Sequence, residues 1–307
     1  MLTIEREIDS QPEVWRRAAE LAIAEREAMP PAGERIALVG CGTSFFASQA
    51  IAVLRESRGL GESDAFAASE FPLTREYDRV VAISRSGTTT EVVRVLAALE
   101  GRPTLAISAV PASPVVEAAG AAVVLPFADE EAVVQTRFAT AVLALWQTWL
   151  GLSDQVEEAA RAVEGAVGST PPVDATAFEH FVFLGSGPSV GLANEAALKM
   201  QESAGAWSES YPAMEYRHGP VSAADASTLV WPLGAVDRGV LQAAAATGAT
   251  VVDAHPDPMV ALVAIQRAAV KVALARGRDP NFPEYLTRSV VLNSDEQGFS
   301  TARRSNR

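Results

Sequence analysis

The feature that most constrains this chain is a pattern it contains twice. "RIALVGCGTSFFASQAIAVL" (35–54) and "HFVFLGSGPSVGLANEAALKM" (180–200) each read as an apolar strand, then G-x-G-x-S, then an alanine-rich helix. Gly40, Gly42 and Ser44 recur as Gly185, Gly187 and Ser189, a constant offset of 145 residues, nearly half of the 307. An internal repeat on that scale predicts two half-domains of related topology, each built from alternating strands and helices.

The rest of the chain fits that plan. An amphipathic leading helix is expected over 11–28. Strands are expected at 35–40, 64–67, 79–84, 104–108 and 121–126, with helices between them. A long helical stretch, 137–165, runs into "GSTPPVDAT", whose glycine and prolines mark a linker. The second half repeats the alternation with strands near 180–185, 207–210, 227–232, 250–253 and 289–292. The domains drawn from this are 1–165 and 166–307. The fold class is α/β, and ligands of such parallel sheets sit beyond the carboxyl ends of the strands.

Composition limits what those ligands can be. With 49% hydrophobic residues the chain has material for one large or two ordinary domains. The net charge of −13 argues against nucleic acid, which is bound through clustered Lys and Arg. A small anion is still allowed, because backbone N–H groups hold phosphate locally. One cysteine permits no intrachain disulfide and points to a reducing cytoplasm. Neither it nor the three scattered histidines (His180, His218, His255) make a metal cluster. No stretch approaches the roughly 18 uncharged apolar residues of a membrane span, and no leader precedes a cleavage site.

A glycine pair after a strand suggests a dinucleotide site, but that fingerprint wants Gly or Ala at its sixth position. Phe45 and Val190 stand there. The plain alternative is a tight strand-to-helix turn, which explains Gly185 to Gly187 well and the hydroxyls of Thr43 and Ser44 less well. "VVAISRSGTTTE" (80–91) is more telling. Five hydroxyls (Ser84, Ser86, Thr88, Thr89, Thr90) precede a helix, where a cap needs one. Gly87 lets backbone approach closely, and a helix N-terminus attracts anions. This loop reads as a phosphate cradle. Its counterpart in the second half arrives with Trp231, Pro232 and Leu233 instead, so the two halves have different tasks.

The second half carries the acid–base candidates. Glu195, Lys199 and Glu202 are spaced i, i+4, i+7 on one helix face. Spacing alone equally fits a solvated Glu–Lys ladder worth a few tenths of a kcal/mol. Position favours chemistry, because the helix starts at the ligand end of its sheet. His218 follows in "RHGP", and could alone be a loop histidine. Together these groups suit proton movement on a carbonyl compound.

At "GCGTS", "SRSGTTTE", "LGSGPSVGLANEAALKMQE" and "EYRHGP" the chain resembles the sugar isomerase (SIS) family, and within it the isomerase part of the glutamine–fructose-6-phosphate aminotransferases. The likeness extends to "IDSQPEVW" and "FPEYLTRSVV", and so over essentially the whole chain. It implies two SIS subdomains of flavodoxin-like, three-layer form, a homodimer, and a hexose or hexosamine 6-phosphate as ligand. It implies no cofactor. Ser84, Ser86 and Thr89 match the family's phosphate loop, and Cys41 and Ser44 match positions facing the sugar phosphate. Gly42, Thr43, Gly87 and Gln135 complete the implied contacts. Glu202 matches the enolisation base; Glu195, Lys199 and His218 match the ring-opening group, the histidine coming from the neighbouring subunit.

Three departures qualify the likeness. The glutamine-hydrolysing domain with its N-terminal cysteine is missing, so no glutaminase activity is expected. Arg288 stands where those enzymes keep an imine-forming lysine, and a guanidinium cannot form an imine. Arg85 replaces the glutamine of S-Q-S-G and adds a charge able to pair with phosphate. The expectation is a cytoplasmic phosphosugar isomerase or amino-sugar-phosphate deaminase. The rival readings are a non-catalytic phosphosugar sensor and a nucleotide-dependent oxidoreductase.

Overall fold

The computed structural model describes residues 1–166 and 173–292. Most of the linker motif therefore lies outside the described residues. Two helices lead the chain, α1 (Thr3–Asp9) and α2 (Gln11–Ala24), where one over 11–28 is expected; α2 gives way to a 3-10 turn at Arg26–Ala28.

The first sheet follows as β1 (Ile36–Gly40), α3 (Thr43–Ser57), β2 (Ser63–Ala67), β3 (Arg79–Ser84), α4 (Thr90–Ala98), β4 (Thr104–Ser108), α5 (Pro114–Ala118) and β5 (Ala121–Val124). Its strands are all parallel in the order β2-β1-β3-β4-β5. The expected long helix is two, α6 (Arg137–Trp149) and α7 (Ser153–Gly165). Between them Gly151 turns the chain with φ +80, which an L side chain resists.

The second sheet repeats the first. It comprises β6 (His180–Gly185), α8 (Ser189–Ala204), β7 (Trp207–Pro212), β8 (Thr228–Leu233), α9 (Arg238–Ala246), β9 (Thr250–Val251) and α10 (Pro258–Ala275). Its order, β7-β6-β8-β9, is that of the first sheet without the last strand. The stretch 289–292 pairs with no sheet among the described residues; it lies along the start of α4, where Thr90 N donates to Val290 O.

Strand alternation assigns the two faces of each sheet to different cores. Ile36, Leu38, Val81 and Ile83 point inward, as do Phe181, Phe183, Leu229 and Trp231, into one core shared with α2, α3, α6, α8 and α10. Ala37, Val39 and Ala82 pack outward on α4, and Val182 and Val230 on α9. Each large inward side chain is worth ~1.5–3 kcal/mol on burial. α10 has the length and apolar character of a membrane span, but two thirds of it (67%) is buried in this core.

The halves meet at α3 and α8. A Cβ on Gly191 would sit 2.5 Å from Phe46 O and 2.7 Å from Ala50 N, so only glycine allows this helix crossing. Beside it Asn194 Nδ2 donates to Gln49 Oε1 at 2.7 Å. Those two residues are themselves 145 apart. Equivalent positions of a repeat touch one another only near the axis relating its copies, so a pseudo-twofold axis runs through this crossing.

Candidate active site

The G-x-G turns have one cause in both copies. A Cβ on Gly40 would lie 2.7 Å from the backbone of Ser44, and one on Gly185 would lie 2.3 Å from Ser189 O. Gly42 and Gly187 then turn with φ +52 and +55. In the first half this places Thr43 and Ser44, both buried, at the start of α3 and at the crevice between β1 and β3. That crevice is where strand order reverses, the ligand-binding point of such sheets.

Across it lies the hydroxyl loop. Gly87 has φ +66, and any Cβ there would collide with Ser113 Oγ at 1.9 Å. Ser84 Oγ accepts from Gly87 N at 3.2 Å and lies 3.3 Å from Thr89 Oγ1. Ser86 Oγ accepts from the N–H and hydroxyl of Thr88. No side chain caps α4 at Thr89, so capping is not what these hydroxyls do. Cys41, half-buried beside the loop, has its thiol pushed up to about 11 by burial and then by Glu91.

α8 brings its polar face to the same place. Lys199 Nζ lies 3.3 Å from Glu195 Oε1, 2.5 Å from Glu202 Oε2 and 3.0 Å from Thr43 Oγ1. Thr43 Oγ1 in turn lies 3.3 Å from Glu195 Oε1, to which it donates. The side chains of Lys199 and Glu195 are only 1% and 4% exposed, while Glu202 keeps 22%. A solvated ladder is therefore excluded. Burial pushes Glu195 up to about 7 against the pull of Lys199. Burial also opposes the charge on Lys199, but Glu195 and Glu202 outweigh it and raise its pKa. One oxygen of Glu195 is buried without a hydrogen-bond partner among the described residues. Arranged this way, a charged lysine holds one partly open carboxylate while a second carboxyl keeps its proton toward neutrality.

The other candidates are placed less uniformly. Gln135 is half-buried, and its Oε1 has no partner among the described residues. Arg85 is buried beneath the loop, donating to Ala132 O at 3.0 Å and Arg288 O at 2.8 Å. Its guanidinium thus engages backbone carbonyls. Arg288 meets Asp129 Oδ1 at 2.5 Å and also donates to Glu130 O. His218, exposed at the end of a 3-10 turn (Glu215–His218), bonds to none of the α8 triad among the described residues.

Sequence reasoning missed the strap. Residues 288–292 lie along the hydroxyl loop: Thr88 Oγ1 donates to Ser289 Oγ, Thr90 N to Val290 O, and Leu292 N to Thr90 Oγ1. Asp129, which engages Arg288, sits in "ADEE", a run indistinguishable by composition from a solvated surface.

Twin parallel sheets, a hydroxyl loop at a switch point and a buried carboxylate–lysine–carboxylate set define a class of phosphosugar isomerase- and deaminase-like proteins. Comparison agrees in part: residues 31–148 match the SIS domain family. The chain is 27% identical, over 94% of its length, to the glutamine–fructose-6-phosphate aminotransferase of Caulobacter vibrioides, and 31% identical over 62% to that of Campylobacter jejuni. It spans 58% of the former and 36% of the latter. Among solved structures, glucosamine-6-phosphate deaminase from Thermotoga maritima superposes with a TM-score of 0.80 at 25% identity, covering 95% of this chain and all (100%) of that one. Tagatose-6-phosphate ketose/aldose isomerase from Escherichia coli gives 0.78 at 20% identity over 95% and 96% of the two chains, a likeness of fold.

Proposed function

We propose that the chain is an aldose–ketose isomerase or amino-sugar-phosphate deaminase acting on a hexose or hexosamine 6-phosphate. The observation that carries this reading is the buried Glu195–Lys199–Glu202 set bonded to Thr43 at the mouth of the hydroxyl loop. The loop, through Ser84, Ser86 and Thr89 with Ser44, holds the phosphate. The opened sugar then extends toward α8. Glu202 takes the proton from the carbon next to the carbonyl, giving an enediol or enolamine, and returns it to the neighbouring carbon. Lys199 holds Glu202 in place through their ion pair and stabilises the developing oxyanion. Glu195, with its pKa near neutrality, exchanges a proton with the sugar oxygens during ring opening. His218 reaches this site from a second subunit in a homodimer, which its exposure and lack of internal partners favour.

Glu202→Gln tests the assignment. The amide keeps shape but cannot accept a proton, so turnover should fall by ~10²–10⁴ while phosphosugar affinity stays within a few-fold. Solvent deuterium should also stop entering C1 or C2 of the sugar. A parent protein that binds hexose 6-phosphates without any deuterium exchange is a sensor, and the enzyme reading then fails.

A further inference from the structure

The pseudo-twofold axis that builds the candidate active site generates a second location with the same geometry. Applying the 145-residue offset, Thr43 and Ser44 become Pro188 and Ser189, and Glu195 and Lys199 become Ala50 and Leu54. Sheet register extends the equivalence: Val39 pairs with Ala82 and Gly185 with Leu233, so Ser84 and Arg85 correspond to Gly234 and Ala235. A cavity of about 270 Å³ opens there, with Ala50, Leu54, Pro188, Ser189, Gly234 and Ala235 all on its wall. The fold has thus kept the crevice and removed its chemistry.

What remains selects against a phosphate. No Lys, Arg or His lines the cavity, and its one carboxylate, Asp257, caps α10 by accepting from Met259 N and Val260 N. A dianion would be desolvated there with nothing to pair it. Ser189 Oγ is already bonded to the backbone of Ser186. Uncommitted hydrogen-bonding groups nevertheless remain. The amides of Gly234 and Ala235 and the carboxamides of Gln147 and Gln155 have no partner among the described residues. Leu54, Leu143 and Leu152 supply apolar wall. Neutral donors and acceptors over an apolar wall match the two-sided surface of a sugar ring.

We infer that this cavity binds an uncharged monosaccharide, a hexose or N-acylhexosamine without its phosphate. The choice of a sugar rests on the phosphosugar reading of the first crevice; the exclusion of phosphate rests on this cavity alone. Ala50 and Leu54 lie on α3, which carries Thr43, and Ser189 lies on α8, which carries Glu195. An occupant therefore touches both helices of the candidate active site.

Saturation-transfer NMR with glucose and N-acetylglucosamine, at millimolar concentration, tests this. Transfer is expected in the parent and in the Ser86→Ala/Thr89→Ala double variant. It should not be displaced by fructose 6-phosphate. Ala235→Trp, at an exposed wall position, should weaken it by about tenfold or more with an unchanged melting temperature, and Gln147→Ala should weaken it too should Ala235→Trp not fold. Absence of transfer from both sugars, displacement by the phosphosugar, or transfer indifferent to both wall variants would overturn the inference. Neutral-sugar binding without any phosphosugar binding would sink the proposed function while leaving this site standing.

Discussion

Replacing Lys199 with methionine keeps the stem of a buried side chain and deletes the charge that contacts two carboxyls. The ammonium contacts Glu195, Glu202 and Thr43 within 3.3 Å, and the side chain is 1% exposed. Removing one member of a buried ion pair costs about 3–5 kcal/mol, because the partner's charge is left uncompensated. pH separates that charge effect from packing. In the parent Glu195 already holds its proton up to about pH 7, so escaping by protonation in the variant costs about 1.36 kcal/mol only for each pH unit above that. At pH 8 that escape costs about 1.4 kcal/mol, well below the 3–5 kcal/mol of an uncompensated charge, on top of roughly 1–2 kcal/mol from lost hydrogen bonds. At pH 5 Glu195 is protonated in both proteins, and only the lost hydrogen bonds, roughly 1–2 kcal/mol, remain. Urea denaturation of parent and Lys199→Met at both pH values measures the difference, provided m is unchanged. Equal destabilisation at the two pH values would mean that Lys199 matters as packing, and the electrostatic account of the triad would be wrong.

Two further outcomes are expected. Ser86→Ala with Thr89→Ala removes two donors, each worth about 1.5–3 kcal/mol toward a charged acceptor, so phosphosugar Kd from titration calorimetry should rise at least ~10-fold; unchanged affinity would return the loop to a structural role. Glu195→Gln removes a titration whose folded pKa is raised from 4.5 to about 7. Stability from such a group is present below its unfolded pKa and lost as pH rises through the folded one, so the variant should gain on the parent between pH 5 and 8 by at most ~3 kcal/mol; parallel stability–pH curves would contradict this.

What could be read from the sequence was whatever local pattern determines. The first nine expected strands fall within two residues of their observed ends, because each is an apolar run stopped by glycine, proline or a polar loop. The repeat led to the matching sheet orders. Tertiary facts were not legible. Glu-Lys-Glu at helical spacing reads the same whether solvated or buried. Here the α8 face is closed by docking on α3, which Gly191 permits by having no Cβ. The same limit applies to Arg85. Its side chain turns under the loop because Ala132 and Arg288 offer carbonyls there. Those partners are 47 and 203 residues distant, and no window of sequence contains them.

Arg288 makes the sharpest test of how this site departs from the amino-sugar synthases it resembles. An imine needs a neutral amine near the sugar carbonyl, and a guanidinium is protonated at any working pH. Borohydride should therefore trap no sugar adduct on the parent chain. Arg288→Lys supplies an amine, but into a position where Asp129 Oδ1 lies 2.5 Å from the native guanidinium. A carboxylate that close favours the ammonium, which is not a nucleophile. Arg288→Lys alone should trap little, and Arg288→Lys with Asp129→Ala should trap more, with the adduct mapping to position 288 by mass spectrometry. Equal trapping by the single and double variants would show that Asp129 does not control this position. An adduct on the parent at Lys199 would show instead that the buried amine is free to react, and the role given to it between Glu195 and Glu202 could not stand.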